Sequence, residues 1–135
     1  MTDYNKEFIE KLNIYSLLDK YNIKKGNCTS AIFYALSSVD KHFKSINKNE
    51  VKTLDLLFGD YYSFQYYDLL KNDLKKLEEL TLVMKNGYVS LLENNRIEIF
   101  ILQLVKLLFS FYSKKILQKD EEKLLLAIGY YYKIY

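Results

Sequence analysis

The chain has 135 residues, half of them hydrophobic and 27% charged, with 20 Lys and Arg against 17 Asp and Glu for a net charge of +3. That length supports one domain, residues 1–135, with one core, and that composition excludes a disordered chain. The basic doublets, Lys24-Lys25, Lys75-Lys76 and Lys114-Lys115, are scattered rather than gathered on one face, so a nucleic-acid binder is not expected.

Proline is absent and the glycines are only Gly26, Gly59, Gly87 and Gly129. An all-β chain needs far more turn residues. The 14 tyrosines favour strand, but the Leu, Lys and Glu content favours helix. The expected fold class is therefore all-α, a bundle of about six helices. The first is predicted from about Asp3 to Tyr21, with Phe8, Ile9, Leu12, Tyr15 and Leu18 on one stripe. Asn22 and Gly26 mark its end. Thr29 or Ser30 is the expected cap of a second helix whose stripe is Ile32, Ala35, Leu36, Val39 and Phe43. Both read as ordinary amphipathic elements.

A third helix is predicted after a cap at Asn47 or Asn49, running through Leu54 to Leu70. Its apolar residues make several stripes, so it is either central in the bundle or half buried by another subunit. Asn72-Asp73 is the expected break or cap before a fourth helix, with Gly87 within it or at its end. Asn95 to Glu98 has capping-box character at the start of a fifth, Ile97 to Leu117, closed by Lys114 and Lys115. Asp120 is the expected cap of a last helix ending in GYYYKIY, a tail expected to join the core rather than touch a membrane.

The chemistry is sparse. One cysteine, Cys28, excludes an intrachain disulfide and suits a reducing cytosol, so a cytoplasmic location is expected. No signal peptide is expected, because Asp3, Lys6, Glu7 and Glu10 interrupt any apolar opening run, and Ile97 to Tyr112 reads as too short and too charged for a transmembrane segment. One histidine, His42, gives no support for a triad or a His-rich metal site, and a surface or packing role is expected. Zinc spacings and phosphate loops are absent, and no aspartate pair suits Mg²⁺ over a diphosphate. No catalytic residue and no bound cofactor or metal is therefore assigned to this chain.

What stands out is LDLLFGDYYSFQYYDLL, Leu54 to Leu70, with six aromatic rings around Gly59-Asp60. At about 150–250 Å² each, the rings represent roughly 900–1,500 Å². Half of that would approach the ~800 Å² per partner of a standard interface. The alternative is that all six serve the internal core.

This stretch is similar to the helix of trans-polyprenyl diphosphate synthases that reads roughly VLAGDYLxxxAxxLL. It more closely resembles the small subunit of the two-component bacterial hexaprenyl and heptaprenyl diphosphate synthases. The GDYYS core, Gly59 to Ser63, is followed by Tyr66, Tyr67, Leu69 and Leu70, and the resemblance runs over about Val51 to Glu93. It implies a bundle resembling part of the isoprenoid synthase fold. It also implies a non-catalytic subunit of a heterodimeric prenyltransferase, inactive alone, with the hexaprenyl type favoured by chain length and a menaquinone side chain as the destination. The full synthases bind Mg²⁺ and isoprenoid diphosphate substrates with two DDxxD motifs. This chain has neither, so Mg²⁺ and substrates are expected in a catalytic large subunit. The resemblance further implies that the third and fourth helices cover the partner's equivalents. Phe58, Tyr61, Tyr62, Gln65 and Tyr66 would then form the interface and limit chain length, with Gly59 and Asp60 as a structural motif. An aspartate on so apolar a helix should have a hydrogen-bond or basic partner. A stand-alone helical adaptor and a lone isoprenoid-binding bundle are the alternatives.

Overall fold

The structure, a computed structural model, describes residues 3–46 and 53–134. Among these the chain forms seven helices and no strand: α1 (Lys6–Lys11), α2 (Ile14–Lys20), α3 (Asn27–Ile46), α4 (Thr53–Leu70), α5 (Leu74–Asn94), α6 (Ile97–Phe111) and α7 (Gln118–Tyr131). The all-α expectation holds. None of these helices is long and apolar enough to cross a membrane.

The seventh helix arises because the first predicted one is broken. Asn13 sits at φ 58°, a left-handed conformation that asparagine tolerates better than most residues, and it separates α1 from α2. The break changes the phase of the stripe. Ile14 becomes fully buried beside Phe8, Ile9, Leu12 and Leu18, whereas Tyr15 is only half-buried.

The centre of the bundle is α3, not the aromatic helix that follows it. From Ala31 to Asp40 every residue except Tyr34 is buried, and α3 packs on both α4 and α6. Its start differs from expectation. The helix begins at Asn27, and Thr29 lies in the first turn, where its hydroxyl accepts from the Gly26 N–H (2.7 Å) and donates to the Gly26 carbonyl (2.9 Å). The predicted caps Asn47 and Asn49 lie outside the described residues. Asp73 caps α5 as expected, its carboxylate accepting from the Lys76 N–H.

Two further boundaries differ. Arg96 is the N-cap of α6 and makes no side-chain cap bond; instead its Nε donates to Glu98 at 2.9 Å, and Asn95 closes α5 at φ 53°. Helix α6 stops at Phe111 rather than Leu117. Ser113 turns left-handed there, and the N–H groups of Ser113 and Lys114 bond back to Ser110 and Phe109. Lys114 then reaches across to the Tyr21 carbonyl (2.5 Å), tying this end to the end of α2.

Two buried carboxylates pin the last helix. Asp120 is not a cap, since Leu117 holds that position; it is buried in the first turn of α7, accepting from the Tyr21 hydroxyl (2.5 Å) and from Lys20 (3.0 Å). At the other end Asp40 of α3 accepts from the Tyr132 hydroxyl (2.6 Å) and pairs with Lys44 (3.1 Å), which in turn donates to Tyr131. Tyr131 and Tyr132 pack their rings on Phe8, and Tyr132 also meets Phe43. These two tyrosines of the tail pack against the core, whereas Tyr130 and Ile134 stay exposed.

Candidate partner interface

The Gly59-Asp60 motif lies where α4 crosses α3. The imidazole of His42 is seated on the α4 backbone: a Cβ added at Gly59 would stand 2.6 Å from its Cε1 and Nε2. Only glycine leaves room for that ring. Beside it, Ser38 Oγ donates to the Gly59 carbonyl (2.9 Å) and lies 2.7 Å from Ser63 Oγ, which is 3.1 Å from the same carbonyl. Ser38 is fully buried, so this pair of hydroxyls fastens two helices and is not open to a substrate.

Asp60 points the other way. Its side chain is 76% exposed, and its Oδ1 lies 3.6 Å from His42 Nε2. The expected hydrogen-bond or basic partner amounts to this one contact, too long for a hydrogen bond, and the carboxylate itself stays in solvent. Burial pulls the imidazole below its ordinary value, and Asp60 opposes that shift. His42 is a packing residue, held edge-on by Tyr88 of α5 at 5.9 Å. Tyr88 packs in turn on Phe100 of α6 at 5.0 Å, and a Cβ added at Gly87 would overlap that same Phe100 ring. Two glycines thus receive two rings, and a row of aromatics connects α4, α3, α5 and α6. Burial raises the Tyr88 hydroxyl above its usual value.

The five residues expected to form an interface do not share one environment. Tyr62 is 5% exposed and sits among Tyr34, Phe58 and Tyr61. Tyr66 is half-buried against the core, and burial raises its hydroxyl above the ordinary value. Phe58, Tyr61 and Gln65 are half-buried along one edge of α4, with Lys41 over the Phe58 ring at 5.8 Å. The open face of α4 belongs to residues left out of that set: Leu57 is 60% exposed and Phe64 63%, with Tyr67 beside them. Leu57 and Phe64 are seven positions apart, two helical turns, and this spacing was the available signal for them.

Helix α5 continues the pattern. Leu77, Leu80, Met84 and Leu91 are buried, while Leu74, Leu82, Val89 and Leu92 are exposed on the opposite side. Among the described residues no group of three or more His, Cys, Asp or Glu could hold a metal ion. Between α5 and α6 lies an open groove of about 250 Å³ bordered by Val83, Gly87, Ile99 and Phe100. Compared with known proteins, the chain matches no family model, no curated protein and no solved structure.

Proposed function

We propose that this chain is the non-catalytic subunit of a heteromeric trans-polyprenyl diphosphate synthase of the hexaprenyl type. One observation carries the reading: α4 and α5, the helices on which the sequence resemblance rests, each turn a second apolar face to solvent after filling the core. Leu57, Phe64 and Tyr67 are the anchors a partner helix would cover, with Phe58, Tyr61, Gln65 and Tyr66 along the edge nearer α3. Fully burying such side chains is worth about 1.5–3 kcal/mol each, so three half-exposed ones offer roughly 2–5 kcal/mol towards association.

The partner would join isopentenyl diphosphate to farnesyl diphosphate through an allylic carbocation, with its own aspartates holding Mg²⁺. This chain would supply packing: a ring at the depth of the partner's tunnel blocks further elongation sterically. A lone isoprenoid-binding bundle has less support, because an apolar chain needs an enclosed cavity, whereas the α5–α6 groove is small and the roomier cleft of about 480 Å³ along Leu74, Leu77 and Leu82 is shallow and open to solvent.

The test is an isopentenyl-incorporation assay with a DDxxD-bearing synthase subunit from the same genome, with and without this chain. Activity is expected only with both chains, and Phe64→Glu, which touches an exposed position, should reduce co-purification about tenfold or more. A synthase equally active, with the same product length, in the absence of this chain would refute the proposal.

A further inference from the structure

The basic doublets Lys24-Lys25, Lys75-Lys76 and Lys114-Lys115 are far apart in sequence, but the fold brings them to one end of the bundle, contrary to the expectation of scattered charge. They lie in or beside the α2–α3, α4–α5 and α6–α7 joints, and these joints touch. The Tyr112 hydroxyl donates to the Lys24 carbonyl (3.3 Å), Lys114 donates to the Tyr21 carbonyl, and Lys76 Nζ lies 5.9 Å from the centre of the Phe111 ring. Segments 21–26, 71–76 and 112–119 together hold eight lysines and one acid, Asp73, which pairs with Lys76 at 3.1 Å. Of the carboxylates that border them, Asp68 pairs with Lys71, Asp120 is buried on Lys20 and Glu121 pairs with Lys106, while Asp19 is exposed. Lys24, Lys75, Lys115 and Lys119 are exposed and have no ion-pair partner among the described residues.

Folding does not ask for all of this charge. Lysines after α4 and α6 offset the helix dipole, but α5 opens on Lys75 and Lys76 with no acid in its first turn, where the dipole favours one. An exposed leucine, Leu117, stands among the lysines of the α6–α7 joint at 53% exposure.

We infer that this end of the bundle docks on an anionic lipid surface, its lysines on the headgroups and Leu117 entering between them. Lysine carries a point charge on a flexible apolar stem, which can follow a mobile headgroup. A nucleic-acid backbone is better met by the planar fork of arginine, and Arg96, the one arginine, lies at the opposite end of α5. Basic charge beside an apolar side chain supplies the two signals that reversible surface binding requires. Charge dominates here, so the attraction is expected to be sensitive to salt. The three joints are separate from the outward anchors of α4, and the inference stands whether or not the prenyl synthase reading holds.

Co-sedimentation of the full chain with phosphatidylcholine vesicles, with and without about 30% phosphatidylglycerol, tests it. At low salt, binding is expected to the anionic vesicles only, weakening about tenfold or more at high salt. K24Q/K75Q/K115Q removes one lysine from each joint. Each lysine near such a surface is worth about fivefold, so this variant should bind about a hundredfold more weakly. K11Q/K85Q/K133Q removes the same charge from other surfaces and should stay within about threefold of the wild type. All six positions are exposed, so circular dichroism should show an unchanged fold. The chain has no tryptophan, so Leu117→Trp supplies a single reporter whose emission should shift to the blue on anionic vesicles. Equal binding to both kinds of vesicle, or to neither, overturns the inference. So do two triple variants that weaken alike, or an emission unchanged on vesicles that hold the chain. A DNA or RNA duplex that binds through these lysines while the vesicles do not would give the surface to a nucleic acid instead.

Discussion

Gly59→Ala tests the contact on which the α3–α4 crossing depends. In a free helix the change stabilises by about 1 kcal/mol, because glycine is the poorer helix former. Here the added methyl would meet His42 Cε1 and Nε2 at 2.6 Å and Cδ2 at 2.9 Å. The ring has little freedom to withdraw, since Tyr88 lies edge-on to it and Phe100 backs Tyr88. Overpacking of this kind costs about 1–3 kcal/mol. The net expectation is a loss of up to about 2 kcal/mol. Removing the obstacle reverses the sign: in a His42→Ala background, Gly59→Ala should stabilise by about 1 kcal/mol. Urea unfolding of the four proteins then gives a coupling of about 1–3 kcal/mol between the two positions. If Gly59→Ala stabilises equally in both backgrounds, ring and glycine do not touch and the physical reason given for Gly59 fails.

Two predictions concern the buried carboxylates. The Tyr21 hydroxyl, and then Lys20, hold the Asp120 carboxyl below the usual carboxylate range. A lowered folded value means that the stabilisation is complete above the unfolded value near 4 and is lost as pH falls through the folded one. Thermal melts should show the wild type's advantage over Asp120→Asn to be constant from about pH 5 to 8 and to shrink below about pH 4. Tyr132→Phe removes the hydroxyl that donates to buried Asp40 at 2.6 Å. It should cost about 1–3 kcal/mol, read as a lower urea midpoint at unchanged slope; an unchanged midpoint would mean that Asp40 finds its partner elsewhere.

Helix existence was legible because apolar period and caps are local signals. Asp73 caps α5 by bonding to Lys76, three positions on, and that pattern is visible in sequence. What decided the misread features lies far along the chain. Ser38, Asp40 and Asp120 look like surface residues by type, but their partners are Gly59, Tyr132 and Tyr21, from 21 to 99 positions away. Once those bonds form, the polar groups can be buried at little cost, and α3 becomes the centre of the bundle. The break at Asn13 is similar. Asparagine is only mildly unfavourable in a helix interior, and it is the burial of Ile14 that favours two short helices over one long one.

The amount of surplus apolar surface on α4 was readable, but its direction was not. A helix with apolar residues around most of its circumference has no dominant stripe, so periodicity cannot say which side faces inward. Glycine can. It marks where another element approaches the backbone most closely, and positions three and four away from it share its side. From Gly59 this rule puts Tyr62 and Ser63 inward, with Tyr66 a turn further on, and leaves Leu57 and Phe64 outward; Leu56, three positions before Gly59, lies at the margin and is exposed. From Gly87 it puts Met84 and Leu91 inward and leaves Leu82, Val89 and Leu92 outward. In both helices the glycine marks the inward side and the most exposed apolar residues lie away from it, with Leu56 and Ser90 as exposed exceptions at the margins. That makes the outward residues, rather than the buried Tyr62, the positions at which association should be probed.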